Sequence, residues 1–177
     1  MSETQNDHTT QIKVIDQKFF DFLSDKAANS QRKRSNFNLH PVLEDNVQRF
    51  FNAMEPGTYV RPHLHDDKDK WELFIILRGS AAAIIFNSNG IILERHILQP
   101  DSGPVAIEIP ERTWHTIIAL ETGTILYESK RGPYTPSSDK DFASWAPNEG
   151  DADTDQFLNW FRHGEIGSIP PQRVQAS

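Results

Sequence analysis

Short apolar runs separated by turn signals fill the middle of the chain, between about residues 48 and 130. Runs such as WELFIILRG, SAAAIIF, IILERHIL and TWHTIIAL are rich in Ile, Leu, Val and Phe, and clusters of Pro, Gly and Asn divide them. About seven or eight strands at roughly even spacing predict an antiparallel sandwich or barrel. The connections are too short for crossover helices, which disfavours a parallel α/β sheet.

Helical spacing is found towards the two ends of the chain. Asp16 is a suitable N-cap for a short helix over QKFFDFLSDKAA, and TDQFLNWFRHG predicts a second short helix near the C-terminus. Residues 131–153 are rich in Pro, Ser and Asp but carry aromatic residues at intervals. These aromatic residues predict a strap that lies over the domain: Tyr134, Phe142 and Trp145.

This pattern predicts one folded domain at residues 12–165 of the 177-residue chain. Its barrel core spans about residues 45–130, and the strap and second helix follow at 131–165. Residues 1–11 are polar and predict a disordered tail, and residues 166–177 predict a loose one.

Composition excludes several classes of protein. The chain has no cysteine, so disulfides and thiolate chemistry are excluded, and its net charge of −7 disfavours nucleic acid as a partner. The N-terminus lacks the apolar segment of a signal peptide, and no apolar run approaches the roughly 20 residues that span a bilayer. We therefore expect a soluble, cytoplasmic protein that does not bind membranes.

Three histidines and a glutamate are the strongest candidates for chemistry. His63 and His65 share one face of a strand, Glu72 opens the next apolar run, and His115 lies inside a later one. A shared ion would satisfy all of these groups, and imidazole with carboxylate suits Mn, Fe, Co, Ni or Zn. The alternative is that they are ordinary strand or core residues, since an H-x-H pair by itself is common.

The spacing around these residues carries further information. Gly57 is followed by five residues, then the two histidines, then six residues to Glu72 and six more to Gly79. The block PERTWHT follows about forty residues later. Together these blocks resemble the two signature motifs of the cupin superfamily. The resemblance implies an all-β cupin (double-stranded β-helix, jelly-roll) barrel with four metal ligands: His63, His65, Glu72 and His115.

Two positions depart from the cupin pattern. The gap between His65 and Glu72 is longer than usual because of the charged segment DDKDK. In the second motif, Arg112 stands in place of a glycine and Ala119 in place of an asparagine, although neither is a ligand position. Arg112 predicts a turn that does not need the backbone conformation reserved for glycine.

A closer resemblance covers about residues 15–160. The segments RKRSNFNLH, NAMEPGTYVRPHLH, KWELFIILRG and SKRGPYTPSSDKDFASWAPNEG resemble the WbuC family of cupin-fold metalloproteins. That family is associated with bacterial surface-polysaccharide gene clusters. The resemblance implies the fold and one bound divalent metal ion (Zn, Fe, Mn or Ni), but it implies no particular reaction.

Polar residues alternate with apolar ones in RKRSNFNLH and predict a ligand-binding strand face. Arginine forks match anionic groups and asparagine side chains match hydroxyls, although a solvated strand face would show the same pattern. Tyr59 and Arg61 share the parity of the histidines and point inward if the strand already starts there. Glu128 and Lys130 share a face, as a buried or a surface pair. The predicted ligand-binding residues are Arg32, Arg34, Asn36, Asn38, Arg61 and Lys130, and the catalytic candidates are His40, Tyr59 and Glu128.

Three functions are compatible with such a site. A metal-dependent isomerase or epimerase acting on a sugar or nucleotide-sugar ranks first, because a metal ion polarises carbonyl groups. The alternatives are an Fe(II)-dependent dioxygenase and a non-catalytic sugar-binding or regulatory module. A degenerate site, in which the metal is only structural, is a further alternative. The first helix and the strand RFFNAM predict a possible homodimer interface.

Overall fold

This computed structural model describes residues 12–135 and 140–173. These residues form ten strands and two helices. The predicted disordered tail at 1–11 lies outside the described residues. In chain order the elements are α1 Gln17–Asn29, β1 Arg34–Asn38, β2 Val47–Met54, β3 His63–Leu64, β4 Glu72–Arg78, β5 Ala81–Phe86, β6 Ile92–Leu98, β7 Ala106–Ile109, β8 Trp114–Ala119, β9 Thr124–Arg131, β10 Asp141–Phe142 and α2 Thr154–His163.

The strands pair into two antiparallel five-stranded sheets. The first sheet has the order β1-β2-β9-β4-β7 and the second the order β10-β3-β8-β5-β6. Apart from the pairs β1-β2 and β5-β6, strands that follow each other in the chain lie in different sheets, so most neighbours within a sheet are distant in sequence. This arrangement confirms the predicted all-β jelly-roll with one short helix near each end.

Apolar residues from both sheets fill one end of the interior. Met54, Phe74, Leu98, Ile117 and Leu126 are buried there together, each with at most 5% of its surface exposed. Their inward positions follow from the alternation of side chains along each strand. Polar residues replace them towards the other end of the same space, where the candidate site lies.

Helix α1 packs on the outer face of the first sheet. The Phe19 backbone N–H donates to Asp16 Oδ1 at 2.9 Å, so Asp16 is the N-cap that the sequence predicts. Phe20 and Leu23 are buried against Phe51 of β2. This packing fixes the position of β1 at the edge of the sheet.

The C-terminal segment packs on the second sheet. Strand β10 pairs with β3, Trp145 packs on Phe86 with ring centroids 5.1 Å apart, and α2 buries Phe157 and Phe161. Strands β1 and β10 add one edge strand to each sheet from outside residues 45–130. Beyond α2, the Ile92 N–H donates to the Ser168 carbonyl oxygen, and the Gly167 N–H donates to the Ile92 carbonyl oxygen. These bonds join residues 167 and 168 to the start of β6, and the domain bounds given by the sequence stay a prediction.

The glycine that ends the first sequence motif gives a stability prediction. Gly79 has φ +73°, and a Cβ atom there would lie 2.6 Å from Thr124 Oγ1 and 3.0 Å from Thr124 Cα. We expect Gly79→Ala to lower the free energy of unfolding by about 2–4 kcal/mol, because backbone strain and overpacking add. Urea unfolding measures this change.

Gly57→Ala is the matched control for that measurement. Gly57 has φ +109°, but nothing lies within 4 Å of the position of its Cβ atom. Only backbone strain is expected there, about 1–2 kcal/mol. A Gly79→Ala variant that is no less stable than Gly57→Ala would contradict the close packing against Thr124.

Candidate metal centre and its cavity

Strand pairing brings the candidate ligands together from both sheets. His63 on β3 lies directly opposite His115 on β8, while Glu72, the first residue of β4, is paired with Lys130 on β9. His65 follows β3 immediately. All four candidate ligands have at most 3% of their surface exposed. The sequence therefore places polar side chains in a position that only mutual contacts or an ion can satisfy.

The four side chains form one cluster. One nitrogen or oxygen of each residue lies within 4.8 Å of those of the other three. His65 Nε2 is 2.9 Å from Glu72 Oε1, and His115 Nε2 is 2.9 Å from Glu72 Oε2. The four residues predicted from the sequence motifs thus converge, and the longer gap before Glu72 does not remove it from the group.

Backbone carbonyl groups set the tautomers of two imidazoles. His63 Nδ1 lies 3.0 Å from the Arg61 carbonyl oxygen, and His115 Nδ1 lies 2.8 Å from that of Thr113. Since a carbonyl oxygen only accepts, each Nδ1 carries the hydrogen, and the lone pair of the neutral ring is at Nε2. Backbone partners of this kind orient metal-binding histidines in many proteins.

The cluster contains acceptors that face each other. In the neutral ring, the Nε2 lone pair of His115 lies 2.9 Å from a carboxylate oxygen of Glu72. His63 Nε2 is buried and has no hydrogen-bond partner among the described residues. A cation between these atoms resolves both problems. Imidazole nitrogens with one carboxylate suit Mn, Fe, Co, Ni or Zn, so the group could hold such an ion.

The charge states also suit a cation. Burial lowers the pKa of His63 well below its ordinary value, and the positive charge of Lys140 acts in the same direction. Burial would raise the pKa of Glu72, but the contacts with His115 and His65 and the charge of Lys130 outweigh it and hold that pKa well below its usual range. A neutral His63 and an ionised Glu72 are the forms that bind metal ions.

A second carboxyl group lies next to the cluster. Asn52 Nδ2 donates to Glu128 Oε2 at 2.6 Å, and Lys130 Nζ lies 3.3 Å from Glu72 Oε1 and 3.9 Å from Glu128 Oε1. Burial raises the pKa of Glu128 to about 8, and the negative charge of Glu72 adds to this effect. Both residues are buried, so Glu128 and Lys130 form the interior pair that sequence parity left open.

The cluster opens on a cavity of about 420 Å³. His63, Glu72 and His115 form part of its wall, and Glu128 and Lys130 lie on the wall as well. Polar residues of β1 and β2 and of the turns beside β1 line another part: Arg32, Arg34, Asn36, Asn38, His40 and Asn52. Apolar side chains such as Phe50, Met54, Phe74 and Ile117 also contribute to the wall. The cavity therefore reaches from the candidate metal centre to the edge of the first sheet and offers both polar and apolar surface.

Comparison with solved structures identifies the fold. An oxalate oxidase in complex with the substrate analogue glycolate superposes with a TM-score of 0.50 at 14% identity. The chain has the cupin fold. The match covers 65% of this chain and 57% of the oxalate oxidase chain, so this cupin spans little more than half the length of that enzyme. At this level of identity the likeness concerns the fold, and the ligands and reaction of that enzyme do not carry over.

Two further solved structures superpose with lower TM-scores. KdgF from Halomonas sp. is 16% identical over 62% of this chain and 87% of its own, with a TM-score of 0.47. An oxalate decarboxylase from B. subtilis is 16% identical over 62% of this chain and 27% of its own, with a TM-score of 0.46. Residues 15–98 match the family described as Domain of unknown function (DUF6016). No curated protein matches the sequence.

The predicted ligand-binding face of β1 lies on the cavity. Asn36, Asn38 and Arg34 line it, while Phe37 points to the opposite side and contacts Phe19 of α1 with ring centroids 4.8 Å apart. The strand begins at Arg34, and Arg32 lies in the turn before it. Arg32 reaches the same wall because Lys33, with φ +55°, turns the chain between the two arginines.

His40 presents its Nε2 atom to the cavity. His40 Nδ1 lies 3.0 Å from the Arg49 backbone nitrogen and 2.9 Å from the Arg49 carbonyl oxygen, so it accepts from the N–H group in one tautomer and donates to the carbonyl group in the other. Nε2 is buried, and no described residue supplies it with a hydrogen-bond partner. A polar group of a ligand in the cavity would satisfy this nitrogen in either tautomer.

Tyr59 and Arg61 do not line the cavity, and the condition for their inward orientation, a strand that starts at Tyr59, is not met. The Tyr59 hydroxyl donates to the Pro147 carbonyl oxygen at 2.9 Å, and burial raises its pKa. Arg61 Nη2 donates to the Ala143 carbonyl oxygen at 2.8 Å. The reason is local: β3 begins only at His63, so strand alternation does not extend back to these residues. Both side chains hold the C-terminal strap.

The turn at Arg112 also differs from expectation. Arg112 has φ +60°, the left-handed region that favours glycine, so the turn does need the conformation that the cupin motif supplies with glycine. Its backbone N–H donates to the His65 carbonyl oxygen at 2.8 Å, and its Nε donates to Asp66 Oδ1 at 2.9 Å. The charged segment after His65 is therefore tied to the second motif. A second ion pair joins the same charged segment to β9, since Arg131 Nη1 lies 2.8 Å from Asp69 Oδ2.

Sequence reasoning missed three groups near the ligand-binding wall. Asn52 follows from the alternation of β2, where it shares parity with Gln48, another residue of the cavity wall. Lys140 lies on the cavity wall and Glu149 bonds to the arginines there, but both come from the C-terminal strap, where no periodic pattern shows which side chains turn inward.

No helix in the described ranges is long and apolar enough to cross a membrane.

Proposed function

We propose that the chain binds one divalent transition-metal ion through His63, His65, Glu72 and His115 and catalyses proton transfer on a small polar, sugar-type ligand in the adjoining cavity. The observation that carries this proposal is the juxtaposition of two features. A buried group of nitrogen and oxygen ligands opens on a cavity of about 420 Å³, and a second buried carboxyl group, Glu128, lies on the same wall. This combination suits an isomerase or epimerase.

The bound ion would act as a Lewis acid that polarises a carbonyl group of the ligand. Its holders are the three imidazoles and the Glu72 carboxylate. Lys130, 3.3 Å from Glu72 Oε1, adds a positive charge beside that carboxylate. Burial of all these groups strengthens their electrostatic effect on a ligand, because little water screens them.

Glu128 is the group best placed to accept and return a proton. Asn52 Nδ2 donates to its Oε2 at 2.6 Å and so fixes the orientation of the carboxyl group. In its ionised form, its other oxygen, Oε1, then takes a proton from the carbon beside the ligand carbonyl and delivers it to the same or the neighbouring carbon. Return to the same carbon after the enediol has turned its other face towards Glu128 is epimerisation. Delivery to the neighbouring carbon, with the hydroxyl proton passing to the former carbonyl oxygen, is isomerisation.

The remaining wall supports a ligand rich in hydroxyl groups. Asn36 and Asn38 offer amide donors and acceptors, and His40 offers its Nε2 atom. Such groups orient the reacting carbon towards Glu128, and orientation contributes strongly to catalysis. A carboxyl group buried beside a second carboxylate costs stability, and a role in proton transfer would explain why the site keeps it.

Deuterium exchange across a panel of sugars tests the proposed chemistry. The Zn²⁺- or Mn²⁺-loaded chain is incubated in D₂O with aldoses, ketoses and hexuronic acids, and ¹H NMR follows the C–H beside the carbonyl. We expect metal-dependent loss of that signal for at least one compound. Tight binding without exchange would favour a binding module, and oxygen uptake by the iron-loaded chain would favour a dioxygenase.

Narrower parts of the sequence-based prediction stay predictions. These are membership of the WbuC family, a link to bacterial surface-polysaccharide metabolism, a cytoplasmic location and a homodimer. Light scattering of the purified chain tests the homodimer. Exchange with a nucleotide-sugar in the D₂O assay would support the link to polysaccharide metabolism.

A further inference from the structure

Two arginines of the cavity wall converge on a carboxylate from the C-terminal strap. Arg32 Nε and Nη2 donate to the two oxygens of Glu149 at 2.7 and 2.8 Å. Arg34 Nη2 donates to Glu149 Oε2, also at 2.8 Å. The two guanidinium groups therefore form a fork that holds one planar carboxylate through three hydrogen bonds.

The two arginines of the fork differ in their surroundings: Arg34 is bonded to the backbone, and Arg32 is exposed to solvent. Arg34 Nη1 donates to the Tyr59 carbonyl oxygen at 2.9 Å, and 21% of the Arg34 side chain is exposed. The Arg32 side chain is 60% exposed and can follow a ligand. Glu149 is itself 35% exposed, so its carboxylate can turn towards solvent. The flanking residues remain held, since the Tyr59 hydroxyl donates to the Pro147 carbonyl oxygen.

Charges near the fork favour an anion. Two guanidinium groups share the single carboxylate of Glu149, so one positive charge at the fork is left uncompensated by that carboxylate. Buried and half-buried arginines bind carboxylates bidentately more readily than surface lysines do. The bound side chain of Glu149 shows that the fork accepts a carboxylate in particular.

We propose that Arg32 and Arg34 form a subsite for a carboxylate of the ligand, and that Glu149 is an internal occupant which this carboxylate replaces. The ligand is then a carboxylated polyol, that is, a sugar acid, whose hydroxyl groups face Asn36 and Asn38. The sugar-like part of this inference rests on the proposed function. The carboxylate part rests on the fork and does not need a metal ion or a reaction.

Occupation by Glu149 has a measurable consequence. A ligand carboxylate must compete with an internal one, so the apparent affinity equals the intrinsic affinity multiplied by the fraction of molecules in which the fork is open. Removing the charge of Glu149 therefore tightens ligand binding. If Glu149 served only to position the arginines, the same substitution would weaken binding.

NMR of arginine side chains tests this inference. The Nε–Hε signals of ¹⁵N-labelled chain, assigned with Arg32→Lys and Arg34→Lys, are titrated with D-glucuronate and, separately, with D-glucose. The titrations use wild-type chain, Glu149→Gln and Glu94→Gln, each metal-free and Zn²⁺-loaded. Glu94 is an exposed carboxylate on β6 of the other sheet, so Glu94→Gln controls for the change in net charge.

Glucuronate, unlike glucose, is expected to shift the Arg34 signal in both metal states. Its Kd should fall by at least about fivefold in Glu149→Gln, stay unchanged in Glu94→Gln and become unmeasurable in Arg34→Gln. An unchanged or higher Kd in Glu149→Gln, an equal response to glucose, or no response to glucuronate would overturn the inference. Because the metal-free chain also responds, a failure of the proposed proton transfer would leave this result intact.

Discussion

Replacing His63 and His65 together by alanine is expected to lower the affinity for Zn²⁺ or Mn²⁺ by at least about 100-fold. The double variant removes two of the four side chains whose ligand atoms lie within 4.8 Å of one another. His115 and Glu72 then remain, and two protein ligands do not hold such an ion tightly. Competition with a chromophoric chelator measures both dissociation constants.

Two other histidines provide the control for this experiment. His96 pairs with Glu94 on β6 and His163 ends α2, and neither lies in the buried cluster. Alanine at both positions should leave the affinity for the ion unchanged. If the double variant of His63 and His65 binds the ion as tightly as this control does, the assignment of the site is wrong.

Glu128→Gln is expected to lower the rate of deuterium exchange by about 10²–10⁴-fold. Glutamine has nearly the same shape, and its amide oxygen can still accept from Asn52 Nδ2, so the fold of the wall should persist. What is lost is the oxygen that accepts and returns the proton. The assay is the ¹H NMR exchange measurement in D₂O with the sugar that responds to wild-type chain.

Metal affinity separates a role in proton transfer from a structural role for Glu128. Because Glu128 is not among the four candidate ligands, we expect Glu128→Gln to bind Zn²⁺ within about threefold of wild-type. Glu108→Gln, on β7, is the matched control and should keep both exchange and metal binding. Full exchange by Glu128→Gln would exclude Glu128 as the proton-transfer group.

The sheets and the ligand cluster could be predicted because both depend on local patterns. Apolar runs of strand length identified β4, β5, β6 and β8, and the spacing of the sequence motifs identified His63, His65, Glu72 and His115. Alternation within β1 likewise indicated that Asn36 and Asn38 share a face, which the structure places on the cavity.

Parity was misleading where no strand was present. Tyr59 and Arg61 have the same parity as His63, but β3 contains only residues 63 and 64, so the chain before it does not alternate. Arg32 lies in a turn and reaches the cavity through the left-handed conformation of Lys33. Such positions depend on tertiary contacts, which a local pattern does not contain.

Residues that contact the site from distant segments were the hardest to predict. Glu149 lies 117 positions after Arg32 in the chain, and no periodicity marks its segment. Arg112 occupies a left-handed turn although its side chain gives no preference for that conformation, and the contact with Asp66 becomes visible only in three dimensions. The carboxylate subsite could therefore be inferred only from the folded structure.

X-ray absorption spectroscopy at the metal edge of the Zn²⁺-loaded chain tests the central claim most directly. The account predicts one ion per chain, with three imidazole nitrogens and one carboxylate oxygen from the protein at about 2.0–2.2 Å. The imidazole multiple-scattering signal should fall to about a third or less in the double variant of His63 and His65, in which His115 is the one imidazole of the cluster that remains. A shell made of oxygen alone, or a spectrum that the double variant leaves unchanged, would contradict the proposed metal centre.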